Sequence, residues 1–207
     1  MGNQNNVKIG DIIEFGRYPF DADGTVRPIT WKVLDRKGET ALIVTEYAID
    51  TKPYHERRED VTWENCSLRY WLNHDFLDVA FTDIENSAIL LTEVDNSDTE
   101  CYDKYLASGG NNTKDKVFLL SYREVFNKYF QSYESRTCFS TTHASKKTYT
   151  KKGHCWWWLR SPGRRQNHAA LINNDGWIDY YYVNDSTDCV RPALWVDLKI
   201  LYTMRER

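Results

Sequence analysis

The side chains best suited to metal chemistry lie around residue 150. Cys138 and His143 are close in sequence, and His154 and Cys155 are adjacent. Thiolates and imidazoles are the usual zinc ligands, but this spacing matches no standard zinc site. We therefore predict that the chain has no metal site.

The same residue types could form a cysteine–histidine pair for covalent catalysis. Such a pair needs a thiol within hydrogen-bonding reach of an imidazole base, and Cys155 or Cys189 could meet His143, His154 or His168. Free cysteines, however, are most often small buried hydrophobic residues. We therefore predict no catalytic residue and a protein that is not an enzyme.

Phosphate and calcium binding have equally weak support. The segment Ser108-Gly-Gly110 is typical of a flexible turn and lacks the residues of a phosphate-binding loop. No EF-hand loop occurs, nor do the Glu-Pro-Asn and Trp-Asn-Asp motifs of calcium-dependent sugar binders. The pairs at 173–175 and 184–185 supply oxygens, but Asn-Asp pairs are more typical of turns. We predict no cofactor.

A different chemistry is indicated by the segment 164–188, which is dense in Tyr, Asn, Asp and Ser. These residues populate antibody combining sites, because Tyr offers a large contact area with few rotors and the others offer adaptable hydrogen bonds. The segment lies between Trp156-Trp-Trp158 and Val190-Arg-Pro-Ala-Leu-Trp195, which we interpret as rigid framework. This order predicts a recognition surface that binds a macromolecule, a protein or a glycan.

Within this segment we expect aromatic anchors and polar residues that set specificity. The anchors are Trp177, Tyr180, Tyr181 and Tyr182, since Tyr and Trp dominate binding hot spots. The specificity residues are Asn167, Asn173, Asp179, Asn184, Asp185 and Ser186. The remaining candidates are Arg164, Arg165, His168, Leu171, Thr187 and Asp188.

A nucleic-acid-binding module is the alternative. The net charge of −3 gives no global attraction for nucleic acid or membrane. The segment 136–165 nevertheless has basic residues and no acidic ones, beside aromatic residues on which bases could stack. Solvated basic loops are the commoner explanation of such a run. Acidic residues within 175–188 also oppose binding of a polyanion on the same surface.

Composition sets limits on the cellular context. The five cysteines are an odd number without a Cys-x-x-Cys motif, which is typical of a reducing compartment. We find no secretory signal and no apolar run long enough to span a membrane. We expect synthesis in the cytoplasm, an undetermined site of action, an undetermined oligomeric state, and possible display on a phage or a larger assembly.

The elements that must position these residues follow the order strands, helices, strands, which predicts an α+β fold. Strands are expected within 7–45, including a hairpin of 28–35 with 39–45. Helices are expected within 62–91, starting at Thr62, and within 121–130. Capping-box patterns occur at 82–85 and 121–124. A buried strand is expected at 116–120 and the sheet of the recognition surface at 155–198. No linker divides the chain, so we predict one domain, 1–207.

Several of these strings resemble a family of bacterial domains common in gut Firmicutes and their phages. The strings are Thr62-Trp-Glu with Leu68-Arg-Tyr-Trp-Leu-Asn73, Lys114 to Ser121, Trp157-Trp-Leu-Arg-Ser-Pro-Gly163, Asn174-Asp-Gly176 and Val190 to Trp195. The family is similar to C-type-lectin-like domains of the formylglycine-generating-enzyme-like branch. The resemblance implies helices packed on a twisted, mostly antiparallel sheet, with a loop-rich C-terminal ligand surface. No copper-binding cysteine pair of the enzymatic relatives matches here, so that activity is not implied.

Some members of that superfamily are variable proteins of diversity-generating retroelements. There, replacement of adenines turns AAY asparagine codons into codons for other residues, between fixed framework segments. Residues 164–188 resemble such a cassette, because most of the candidates could come from AAY codons. Gln166 and Trp177 could not, which makes them fixed or otherwise encoded. A non-diversified lectin-like module is the alternative.

Overall fold

The computed structural model describes residues 7–205 and contains both helices and sheets, which gives a mixed α+β class. The first sheet has four antiparallel strands in the order β1-β2-β3-β11. These strands are β1 (Ile12–Pro19), β2 (Val26–Lys37), β3 (Thr40–Thr45) and β11 (Ala193–Asp197). The predicted hairpin is confirmed as β2 and β3, and Gly38 takes the positive φ of 59° that its tight turn requires.

The second sheet carries the predicted recognition segment. Its order is β4-β10-β7-β8-β9, and only the β10–β7 pair is parallel. These strands are β4 (Asp50–Thr51), β7 (Trp157–Pro162), β8 (His168–Ile172), β9 (Ile178–Tyr182) and β10 (Cys189–Val190). A small two-stranded sheet pairs β5 (Thr92–Val94) with β6 (Thr113–Asp115).

The helical region is divided into short elements. They are α1 (Ser67–Asn73), α2 (Asp75–Ala80), α3 (Asp83–Ala88), α4 (Tyr133–Arg136), α5 (Leu198–Arg205), a π-helical segment (Glu124–Tyr129) and 3₁₀ turns at Trp63–Asn65, Asp98–Glu100 and Ala144–Lys146. A helical start at Thr62 is found as the 3₁₀ turn, for which Thr62 is the N-cap. The α-helix itself begins at Ser67 and is capped by the Cys66 sulfur, which accepts the Arg69 N–H, so the predicted caps Thr62 and Ser67 do not cap it. The capping box of Thr82 with Glu85 is confirmed, although its helix ends at Ala88 and not at 91.

The predicted strand at 116–120 is wrong, although the segment is largely buried. The backbone groups at its start are satisfied by a side chain instead of a ladder. The Asn73 side chain accepts the N–H groups of Lys116 and Val117 and donates to the Val117 carbonyl. Only an isolated bridge joins Phe118 to Ala193. This buried extended run forms no strand, because Asn73 already occupies the hydrogen-bonding groups at its start.

The buried side chains of the sheets and helices form one continuous hydrophobic cluster. Trp157 and Trp158 lie fully inside it, and their indole N–H groups donate to the carbonyls of Arg136 and Lys52. This confirms the framework interpretation for two of the three consecutive tryptophans. Trp156 is half-buried and packs against the same cluster.

Candidate functional site: a tyrosine-rich surface at the edge of a sheet

The candidate site is built on the β8–β9 hairpin, with β9 at the edge of its sheet. In register, His168 lies opposite Tyr182 and Ala170 opposite Tyr180, while Ala169 lies opposite Tyr181. Cross-strand partners share a face of the sheet. The edge strand therefore presents its tyrosines alternately on the two faces, both next to solvent.

Strand β8 is the fixed floor of this hairpin. Ala169, Ala170, Leu171 and Ile172 are all completely buried. Leu171 was predicted to contact ligand, and this prediction is wrong because its side chain packs in the core. The contrast with β9, whose residues are exposed or half-buried, shows that the hairpin has one strand for support and one for display.

Two cavities border β9. The first, which we call the arginine pocket, measures about 420 Å³ and is lined by Trp156, Arg164, Arg165, His168 and 179–182. The second, which we call the carboxylate pocket, measures about 220 Å³ and is lined by Thr148, Tyr149, Trp156, Tyr181, Asp185, Thr187 and Asp188. Trp156 and Tyr181 line both cavities. We call the surface formed by both pockets the tyrosine surface.

The arginine pocket is organised by a stack of three side chains. The Tyr182 ring stacks on the His168 ring at a centroid distance of 4.5 Å, and the Arg58 guanidinium lies 3.4 Å from the Tyr182 ring centroid. Burial and the nearby Arg165 and Arg58 lower the pKa of His168, so its imidazole is neutral at neutral pH. Arg164 and Arg165 are exposed and make no ion pair with the described residues.

The carboxylate pocket contains a buried acid. Asp188 is 6% exposed, and its Oδ2 atom has no hydrogen-bond partner among the described residues. Burial first, and then the charges of Asp185 and Asp179, raise the pKa of Asp188 to about 7. A carboxyl group with this pKa changes its charge near neutral pH.

The remaining predicted residues take three positions. Asn184, Ser186 and Thr187 are exposed, and Asn167 is half-buried with an unpartnered Oδ1. Asn173 serves the β8–β9 turn, because its Oδ1 accepts the N–H groups of Asp175 and Trp177.

Trp177 is half exposed and stacks on Tyr133 at 4.2 Å. It lies at the turn end of the hairpin and lines neither pocket. Gly176 packs closely against α4, which begins at Tyr133, because an added Cβ would lie 2.1 Å from the Tyr133 carbonyl oxygen. The turn is therefore docked on α4, and Trp177 is placed as a docking residue and not within either pocket.

Gln166 ties three loops together. Its side chain donates to the carbonyls of Val61 and Ser108 and accepts the Ser108 N–H, and its carbonyl accepts the Val61 N–H. This is a structural role for a residue that AAY codons could not produce. It also holds the loop from which Arg58 reaches Tyr182.

Sequence reasoning missed Tyr149 as a lining residue of the tyrosine surface, and Arg58 and Tyr105 as residues that contact its tyrosines. Tyr105 contacts Tyr180 edge-on at 5.3 Å, and Tyr149 is largely exposed at the rim of the carboxylate pocket. All three missed residues come from polar loops distant in sequence. Their aromatic or cationic type was the only signal available.

The basic segment 136–165 is not a single patch. Arg136 and Arg160 are buried, the former donating to the Gly176 carbonyl and the latter to Glu124. Lys151 pairs with Asp175 at 3.2 Å. Two of the eight cations of this segment are therefore structural, which weakens the nucleic-acid alternative.

The cysteines are free and buried. Hydrogen bonding to the thiols of Cys138 and Cys189, together with burial, raises the pKa of Cys155 well above its usual value. A thiol held in its protonated form is a poor nucleophile. Among residues 7–205, no group of three or more His, Cys, Asp or Glu side chains is arranged to hold a metal ion.

In the described part of the chain, no helix has the length and apolar character needed to cross a membrane. Comparison with curated proteins and with solved structures gave no match. A family model described as a domain of unknown function, DUF6273, matches residues 38–198. These residues include the strands from β3 to β11 and the tyrosine surface, but not β1 and β2. The chain therefore belongs to the DUF6273 family.

Proposed function

We propose that this protein is a non-enzymatic recognition protein that binds a protein or glycan through its tyrosine surface. The observation that carries the proposal is the hairpin itself, in which a completely buried β8 supports an edge strand that displays Asp179 to Tyr182. Binding residues are commonly held in this way by a rigid frame. The proposed fold is the C-type-lectin-like fold of the formylglycine-generating-enzyme-like branch.

The exposed tyrosines support this proposal. Tyr181 is 45% exposed and contacts Tyr182 edge-on at 5.9 Å. Such rings contribute a large apolar area at little cost in side-chain entropy. Arg58 and His168 both pack on the Tyr182 ring, so the anchor is already ordered before a ligand arrives.

Unpartnered polar atoms support it further. Trp156 Nε1, Asn167 Oδ1, His168 Nδ1 and Asp188 Oδ2 are all buried without a hydrogen-bond partner among the described residues. A buried polar group without a partner costs about 1–3 kcal/mol. Four such atoms lie within this one surface segment. Their desolvation cost is offset if a ligand, or the water that fills the site before the ligand binds, completes their hydrogen bonds.

The test is a binding screen with a matched pair of double variants. Wild-type protein is applied to a glycan microarray and to a panel of intact bacterial cells. We expect Tyr181→Ala/Tyr182→Ala to weaken any hit by about 2 kcal/mol per residue. The control, Tyr70→Ala/Leu91→Ala, removes two exposed side chains that line a separate cavity, and should bind as wild type does. Equal binding by all three proteins would exclude this surface, and binding that falls steeply with salt would favour nucleic acid.

Diversification of the surface is the second part of the proposal. Of the AAY-reachable candidates, all but His168, Leu171 and Asp188 are exposed or half-buried, so most could vary without disturbing the core. The encoding genome provides the test. We expect a near-copy of the codons for residues 155–195 that differs only at adenines, beside a reverse transcriptase gene. Without both, the protein would be a non-diversified lectin-like module.

A further inference from the structure

The carboxylate pocket combines two kinds of side chain that rarely meet by chance. Three aromatic side chains, Tyr149, Trp156 and Tyr181, line it together with two carboxylates, Asp185 and Asp188. Aromatic rings present negative electrostatic potential at their faces and attract cations. The ring faces and the two carboxylates of this cavity therefore both favour a positive charge inside it.

Asp188 is the second, independent observation. It is at least nine-tenths buried, lines the cavity, and leaves its Oδ2 without a partner among the described residues. Asp185 is already engaged on one side, because its Oδ1 accepts both the N–H and the hydroxyl of Thr187. A buried carboxylate of this kind is expensive to maintain unless a cation or donor pairs with it.

We propose that the carboxylate pocket binds a methylated ammonium group, held against the rings of Tyr149, Trp156 and Tyr181 with Asp188 and Asp185 as its counter-charges. This inference rests on the proposed recognition surface, since Tyr181 and Asp185 belong to both. It specifies the chemistry of one ligand group at that surface.

The size of the cavity fits such a group. Its volume of about 220 Å³ is below the roughly 300–1,000 Å³ typical of pockets that enclose a whole small molecule. It suits the end of a side chain or a headgroup. A bare calcium ion fits the pocket poorly, because aromatic rings cannot supply the six to eight oxygen ligands that it takes.

The charged groups around Asp188 support a pH-dependent affinity. Its neighbours are Asp185 and Asp179, which raise its pKa together with burial. Lys52 donates only its backbone N–H to the Asp188 carbonyl, since its ammonium lies over the Trp71 ring. Cation binding should therefore displace a proton from Asp188, and affinity should rise between about pH 6 and about pH 8.

The experiment compares choline with its neutral isostere, 3,3-dimethyl-1-butanol, by calorimetric titration of the full chain at constant ionic strength. We expect choline to bind at least about tenfold more tightly than the isostere. Asp188→Asn should lower choline affinity about tenfold and abolish its rise with pH. Tyr149→Ala changes a largely exposed side chain that cannot compromise folding, and should also weaken choline binding. Tyr70→Ala, which removes an exposed tyrosine that lines a separate cavity, should not.

Equal affinity for the two probes, or no binding of either, would overturn the inference. So would choline binding unchanged in both Asp188→Asn and Tyr149→Ala. Phosphatidylcholine vesicles and a peptide containing trimethyl-lysine then distinguish a lipid headgroup from a protein side chain as the source. If choline does not bind but Tyr181→Ala/Tyr182→Ala still abolishes binding to the array or cells, only the ammonium site is excluded. Failure of both would exclude the recognition surface.

Discussion

Two cavities of almost equal volume differ in how their charges are satisfied. The arginine pocket of the tyrosine surface measures about 420 Å³. A second cavity of about 430 Å³, which we call the β11 cleft, is lined by Lys37, Leu42, 92–95, Glu100, Phe118, Arg123, Glu124, 127–129, Arg160 and Trp195. Volume alone does not distinguish the two cavities, but the charged side chains that line them do.

In the β11 cleft, charged groups are paired within the protein. Arg160 donates to Glu124 at 2.5 Å and to the carbonyls of Leu119 and Asp95, so that only its Nε lacks a partner among the described residues. Lys128 pairs with Asp35 at 3.2 Å. Such groups have little left to offer a ligand, and their role is to hold the fold.

At the tyrosine surface the corresponding groups are free or unsatisfied. Arg164 and Arg165 project into solvent, and Asp188 keeps a buried oxygen unpartnered among the described residues. This difference indicates that polar and charged groups without a partner are a better sign of a binding site than the volume of a cavity. Arg160 and Arg164 are four positions apart in sequence and illustrate both cases.

The largest expected effect follows from that pair of arginines. Arg160→Met removes the buried cation that pairs with Glu124 and the donor to two carbonyl groups, and should lower the free energy of unfolding by about 3–5 kcal/mol. Arg164→Met removes an exposed, unpaired side chain and should change it by less than about 0.5 kcal/mol. Urea unfolding of both variants measures the difference. Equal losses would show that Arg164 is also structural and would remove the contrast between the two regions.

The next effect concerns the pH dependence of stability. Asp188 has a folded-state pKa of about 7, above the value of about 4 expected in the unfolded chain. Between these values the folded protein retains a proton that the unfolded chain releases, so stability falls as pH rises and the penalty is complete above about pH 7. Asp188→Asn removes it. The variant should be more stable than wild type by up to about 4 kcal/mol at pH 8 and equally stable near pH 4.

Thermal unfolding across that pH range provides the measurement, with Asp60→Asn as the control because that carboxylate is exposed in a loop. Stability curves of wild type and Asp188→Asn that stay parallel between pH 4 and pH 8 would contradict the assignment. They would mean that Asp188 finds a partner in solution, and the strongest unsatisfied group of the tyrosine surface would be lost.

The sequence contained much of the fold, because local patterns were sufficient where hydrogen bonds are local. The hairpin of β2 and β3 and the capping box of Thr82 depend on residues a few positions apart, and both were predicted. The segment 116–120 was misassigned, because Asn73, more than forty positions away, occupies the backbone groups at its start. No local pattern contains that contact.

The candidate site likewise contains some residues that local sequence identifies and others that only tertiary packing brings there. Its edge strand was recognisable from composition, since Asp179 to Tyr182 are contiguous and of the recognition type. Leu171 could not be separated from its neighbours, because its burial depends on strand register. Arg58 and Tyr149 join the surface through loops whose paths only tertiary packing determines.

The smallest expected effect on stability distinguishes two adjacent residues, one that holds the fold together and one that belongs to the proposed binding surface. Gln166 makes three side-chain hydrogen bonds to Val61 and Ser108, whereas Asn167 has a buried Oδ1 with no partner among the described residues. Gln166→Ala should lower the free energy of unfolding by about 1–2 kcal/mol, reduced from the sum of three bonds because two of them are exposed. It should also speed hydrogen exchange at the Val61 and Ser108 amides.

Asn167→Ala is the matched variant, and it removes an unsatisfied group instead of three bonds. It should leave stability unchanged or raise it by a few tenths of a kcal/mol, because an unpartnered buried polar atom contributes only its desolvation cost. Urea unfolding resolves the two outcomes. If Asn167→Ala were the more damaging change, the boundary between framework and recognition surface would shift by one residue. Gln166 would then belong to the residues free to vary, and the loop carrying Arg58 would need another anchor.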